Sequence, residues 1–113
     1  MECISLTGFV EETLVQAREA HSGRAAHAIH GGHGHELRHT VLALAAGREL
    51  AEHESPGEAT LQVLHGHVRL STKADSWEGR TGDFVVIPPE RHALTAIEDA
   101  VVLLTTVKPS ARA

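Results

Sequence analysis

Apolar positions along this chain follow two rhythms. Between Gly8 and His21 they recur at Val10, Leu14, Ala17 and His21, at intervals of four, three and four, the period of a helix with one apolar stripe. Thr7 is the expected N-cap, Glu11 and Glu12 are expected in the first turn, and Gly23 follows as a stop signal. Residues 22–26 read as a connector, with a short strand beginning near Ala28 and Ile29. From Glu36 onward the rhythm shortens. Residues 36–46 carry Thr40, Val41, Leu42 and Leu44, a strand by composition. Residues 67–72 alternate polar and apolar with period two, as a strand with one wet face does. Residues 84–87 are wholly apolar, Pro88-Pro89 ends that run, and residues 92–97 and 101–107 complete the series. About eight short strands separated by turn signals predict an all-β sandwich or barrel, with no βαβ alternation.

The centre of this pattern is the stretch from Gly47 to Gly66, GRELAEHESPGEATLQVLHG. It reads as a strand near residues 49–55 carrying His53, a Ser55-Pro56-Gly57-Glu58 turn, and a second strand near residues 59–65. The stretch from Gly82 to His92, GDFVVIPPERH, repeats the order of glycine, apolar strand, proline and histidine.

Composition narrows the function. The chain has 113 residues, 42% of them apolar, enough for one globular domain. No run approaches the ~18 apolar residues of a bilayer span, and no basic start with an apolar core marks a secretory signal. The net charge of −5 with no basic stripe, and 3% aromatic residues, argue against nucleic acid as a partner. The single cysteine, Cys3, excludes an internal disulfide and fits a reducing cytoplasm. It sits in an unpatterned start, and no serine lies in a Gly-x-Ser-x-Gly turn, so nucleophilic catalysis has little support. Ten histidines stand out, because imidazole is the commonest metal ligand. The tract His30-Gly31-Gly32-His33-Gly34-His35 admits a metal-binding or a lid reading. Its three glycines leave it poorly preorganised, which favours a solvated loop.

The chain resembles the cupin family, small double-stranded β-helix (jelly-roll) barrels, over residues 36–107. The first cupin motif is matched by Gly47, by His53 after five residues, and by Gly66 at its end. Its second histidine position holds Ser55 and its glutamate position Ala59. The second motif is matched by Gly82, Pro88 and His92, which stands one residue early, with Glu90 in a glycine position and Ala96 or a neighbour in the asparagine position. The resemblance implies an all-β jelly-roll barrel behind a short N-terminal helix. Residues 1–35 then form the helix and the His/Gly-rich connector, 36–107 the barrel, and 108–113 a disordered tail. It also implies a divalent metal (Fe, Mn, Ni or Zn) held inside the barrel, with His53 and His92 as the preserved ligand positions. Two imidazoles are an incomplete set, because such sites usually take three protein ligands or more. Glu58 and His39 are the candidates to complete it. Hairpin pairing would place Glu58 on the face of His53, whereas the family spacing turns Ala59, Leu61 and Val63 inward and Glu58 outward. His39 reads equally as a barrel-lining residue or as a wet rim residue. His65 and His67 are expected to be exposed beside a hairpin glycine, and His21 and His27 on the surface. His53 and His92 also have a bland reading, as buried imidazoles hydrogen-bonded within the barrel.

Two functions compete. One is a barrel that binds a small molecule, with or without metal, walled by Leu61, Val63, Leu94 or Leu103. The alternative is a metal-dependent cupin enzyme of dioxygenase, isomerase or decarboxylase type acting on a small organic substrate. A homodimer is expected in either case, covering an apolar outer sheet face.

Overall fold

The computed structural model describes residues 1–53 and 57–107, with only the backbone at Glu52 and His53. The predicted Ser55-Pro56 turn and the 108–113 tail lie outside the described residues.

Among the described residues one helix, α1 (Leu6–Glu19), precedes nine strands: β1 (Arg24–His30), β2 (Leu37–Leu44), β3 (Glu49–His53), β4 (Ala59–His65), β5 (His67–Thr72), β6 (Ser76–Arg80), β7 (Phe84–Val86), β8 (His92–Ala96) and β9 (Ala100–Val107). They form two antiparallel sheets, one in the order β1-β2-β9-β4-β7 and the other β3-β8-β5-β6. This is the all-β architecture that the strand pattern predicts and the jelly-roll barrel that the resemblance implies.

The sheets enclose an apolar core because successive side chains on a strand alternate between faces. Ala59, Leu61 and Val63 of β4 are buried while Gln62 is exposed. Leu42 and Leu44 of β2, Val68 and Leu70 of β5, Leu94 and Ala96 of β8 and Val102 of β9 meet them in one cluster. A second cluster lies outside the five-stranded sheet. There Leu14 and Ala17 of α1 cover Val41, Ala43 and Val101, with Phe9, Val10, Ile29, Leu64 and Leu103 around them. The helix therefore closes part of that outer face. Leu103 belongs to this outer cluster and not to the barrel wall where the sequence reading put it.

Several local expectations are corrected. The helix begins earlier than its apolar stripe, and Ser5 caps it by accepting the Gly8 N–H at 3.2 Å in place of Thr7. No acidic residue then lies in the first turn. Residues 24–26, read as connector, pair with β2 as the start of β1. Among the described residues neither predicted hairpin pairing forms. β3 and β4 belong to different sheets, as do β4 and β5, and the chain crosses between layers at Gly66. His67 is buried (8% exposed), its Nε2 2.8 Å from Glu78 Oε1. Arg69 and His67 together hold the Glu78 carboxyl below the usual carboxylate range, the Arg69 hydrogen bond contributing most. His27 is half-buried, with Nε2 2.7 Å from Gln16 Oε1 and its ring edge-on to Phe9.

Asp99, in the β8–β9 turn, ties the helix to the barrel. It accepts the Ala46 backbone N–H at 2.7 Å and the Arg18 Nε–H at 2.7 Å. The first of these, then Arg18, holds its carboxyl below the ordinary range. Among the described residues no helix is long and apolar enough to cross a membrane.

Candidate functional site at the His92 end of the barrel

His92 opens β8, directly after the proline-containing segment that ends β7. Glu90 N–H donates to the Pro88 carbonyl at 2.7 Å, a tight turn that carries the Glu90 carbonyl back over the His92 ring. His92 Nδ1 lies 2.9 Å from that carbonyl oxygen. A carbonyl can only accept, so Nδ1–H donates and the lone pair of the neutral ring sits on Nε2. Fixing the tautomer through a backbone carbonyl is how proteins prepare an imidazole as base or ligand, and it equally satisfies a buried structural histidine. The ring is buried (4% exposed), on the same inward row as Leu94 and Ala96.

His92 shares a cavity with Leu42, Leu50, Leu61, Leu70, Ile87, Leu94, Val102 and Leu104. The cavity measures about 20 Å³, room for roughly one water and for no organic substrate. The apolar walls include Leu61 and Leu94, as the sequence suggests, and the interior is nearly full.

The backbone register sets His53 of β3 opposite His92 of β8, after a shift that follows the Leu50–Leu94 pair. The other two candidates stand elsewhere. His39 pairs with Thr105 in the β2–β9 register, in the row of Val41 and Ala43, and its Nδ1 lies 3.0 Å from the Thr105 hydroxyl. That row faces outward, under the helix and away from His92. Glu58 is exposed, and its carbonyl accepts the Val107 N–H just before Ala59 turns inward. The spacing argument taken from the resemblance describes this parity and the hairpin argument does not, because β3 and β4 do not pair. Among the described residues no group of three His, Cys, Asp or Glu side chains is placed to hold a metal ion. The described residues therefore do not complete the ligand set that cupins would imply.

A groove of about 400 Å³ runs beside this interior, between the sheet edges formed by β6 and β7. Trp77, Leu70, Val85, Val86 and Pro88 give it apolar walls, and Thr72, Asp75, Ser76 and Glu90 a polar rim. Trp77 is the chain's only tryptophan. Its indole lies over Gly79, two residues on and on the same face, where any Cβ would collide with the ring. Leu70 walls both groove and cavity, Thr72 is the register partner of His92, and Glu90 holds the His92 ring. Three groove residues thus adjoin His92, whose own ring faces the small closed cavity. Sequence reasoning missed the groove. The available signal was a lone tryptophan two residues before a glycine within a strand, which marks a ring laid across bare backbone.

No family model matches the chain, and no curated protein matches it. Solved structures do. A conserved protein of unknown function from Streptococcus pyogenes is 29% identical, with a TM-score of 0.71 over 81% of this chain and 80% of that one. An RmlC-like cupin protein from Desulfovibrio desulfuricans is 23% identical, with a TM-score of 0.67 over 77% of this chain and 84% of that one. A salicylate 1,2-dioxygenase from Pseudoaminobacter salicylatoxidans is 20% identical, with a TM-score of 0.74 over 88% of this chain and 34% of the longer enzyme.

Proposed function

From the premise that this chain is a small cupin-type domain, we propose that it binds a small, mainly apolar molecule in the Trp77 groove, with His92 as the polar contact at its inner end. The observation that carries this reading is that three groove residues, Leu70, Thr72 and Glu90, also adjoin His92. Ligand sites are typically concave and apolar with a few convergent polar groups, and at about 400 Å³ the groove is of ligand size. The nearly full interior supports a ligand lying in the groove over one enclosed among the core leucines. Asp75 and Glu90 on the rim favour an uncharged or cationic molecule over an anion.

The sole tryptophan supplies the test. Titrating the purified chain with a collection of small ring compounds, while following Trp77 emission, should find ligands that saturate. Ser76→Phe, which fills the groove from its rim, and His92→Ala should each weaken them about tenfold, equivalent to about 1.4 kcal/mol. Ligands indifferent to both substitutions would place binding elsewhere. Metal content per chain, measured after purification without chelator, separates this reading from the enzyme alternative. A stoichiometric metal lost in His92→Ala would favour the enzyme.

The homodimer belongs to the same proposal. Phe84 (58% exposed) and Val86 (67% exposed) stand on the edge strand β7, opposite Gln62 and Thr60 on the outer face beyond the helix. An edge strand with bare apolar side chains invites a second copy. Light scattering should give a dimer at micromolar concentration, and Phe84→Lys should shift it to monomer. A wild-type monomer would refute the dimer.

A further inference from the structure

The histidine-rich tract is an exposed loop that a turn folds back beside β1 and β2. We propose that His30, His35 and His39 form a surface site for a zinc-class divalent ion, outside the barrel and independent of the groove.

A bulge creates the first pair. β1 and β2 pair residue by residue from Arg24–Leu44 to Ala28–Thr40, and the register then shifts so that His30 stands opposite His39. Without the shift His30 would pair with Arg38 and fall on the other face of the sheet, because a slip of one residue reverses side-chain direction. Bulges commonly re-aim a side chain in this way. The loop supplies the third ring. Gly31, Gly32 and Gly34 adopt φ of 123°, 116° and 87°, and the His35 N–H closes a turn onto the Gly32 carbonyl at 3.1 Å. A Cβ at Gly31 would lie 2.9 Å from Arg38 Cγ, so the loop passes too close to β2 for a larger residue. The glycines therefore fold the tract back, and His35 meets His30.

The ring centres of His30 and His35 are 5.1 Å apart, and those of His30 and His39 are 6.1 Å apart. Zn–N bonds of about 2.0–2.1 Å put each ring centre about 3.2 Å from a bound ion, hence about 5 Å from its neighbour in a tetrahedral site. The first pair already has that spacing, and the second needs about 1 Å of closure. As they stand the three rings are not placed to hold an ion, and closing the site also requires His35 and His39 to approach each other. His30 and His35 are exposed, and exposed side chains change rotamer freely, so closure is a matter of ring rotation. His39 is oriented from behind. Its Nδ1 is engaged with the Thr105 hydroxyl at 3.0 Å, leaving Nε2 as its coordinating nitrogen. Three imidazoles with a water in the fourth position suit zinc, nickel or copper better than magnesium or calcium.

Equilibrium dialysis of the full chain against Zn²⁺ tests the site. Wild type should take up one equivalent, and His35→Ala and His39→Ala should abolish that uptake with unchanged far-UV circular dichroism. His33→Ala and His92→Ala should leave it intact, the second separating this site from any ion in the barrel. Thr105→Val should weaken it about tenfold and Thr105→Ser restore it, as expected of a residue that positions a ligand. No saturable uptake by the wild type, uptake indifferent to His35→Ala, or uptake lost in His33→Ala or His92→Ala would each overturn the assignment.

Discussion

Replacing Gly66 with alanine is expected to lower stability by about 3 kcal/mol or more. Gly66 turns the corner between β4 of one sheet and β5 of the other, with φ of 92°. Two costs add there. The backbone conformation is one that alanine rarely adopts. A Cβ would also press into the Asp99 carbonyl oxygen and sit 2.9 Å from Ala100 Cα. Backbone cannot step aside as a side-chain tip can. The neighbouring turn holds Asp99, which ties Arg18 and Ala46 together, so the strain falls where helix and barrel are joined. Gly47 and Gly82, the other two glycines of the cupin-like pattern, isolate the steric part. Both have positive φ, 82° and 94°, but open space where a Cβ would go. Gly47→Ala and Gly82→Ala should therefore cost only the conformational part, about 1–2 kcal/mol. Urea denaturation of the three variants measures the difference. Equal losses at all three would mean that the close approach at Gly66 does not matter.

Those glycines explain why the fold was legible. A positive φ demands glycine, a corner demands one at a fixed distance from the strand before it, and both demands are written as residue identity. Strand boundaries were legible too: β4 occupies the run read after the 55–58 turn, and β5 the run that period-two alternation marks out. Pairing partners were not. Alternation says which face a residue takes but not which strand lies beside it, and two adjacent strands with a turn between them read as a hairpin. Here β3 joins β8 and β4 joins β9, contacts made across long stretches of sequence. The site suffered from the same blindness. His39 had two equal readings because its face depends on pairing with β9, which only the fold supplies. The cluster of His30, His35 and His39 depends on a one-residue bulge, and no residue type in β1 announces it. The Trp77 groove is formed by the edges of two sheets, so its walls come from β5, β6, β7 and the segment after β7, none of them a motif alone.

Leu61→Ala is expected to destabilise the domain by about 3–4 kcal/mol while leaving the proposed groove intact. Leu61 is 2% exposed and sits mid-barrel on β4, between Leu104 of β9 and Val85 of β7 in the sheet register. It walls the small cavity beside His92 but is not part of the groove. Truncating it removes buried methyl groups and leaves a void that strands paired on both sides cannot close, and both contributions act in the same direction. Its neighbour Gln62 points outward, so Gln62→Ala should change stability by less than about 0.5 kcal/mol. The pair tests the packing of the barrel through denaturant midpoints alone. It also tests where ligands go. A ligand held in the groove should bind Leu61→Ala with the wild-type affinity at temperatures where the variant is folded. A ligand that must enter the barrel has only about 20 Å³ available, and enlarging that space should raise its affinity. Trp77 emission follows both cases from the same position. A gain in affinity on Leu61→Ala would move the binding site from the sheet edge into the core beside His92, and a loss of less than about 1 kcal/mol in stability would mean that the interior is not close-packed around this leucine.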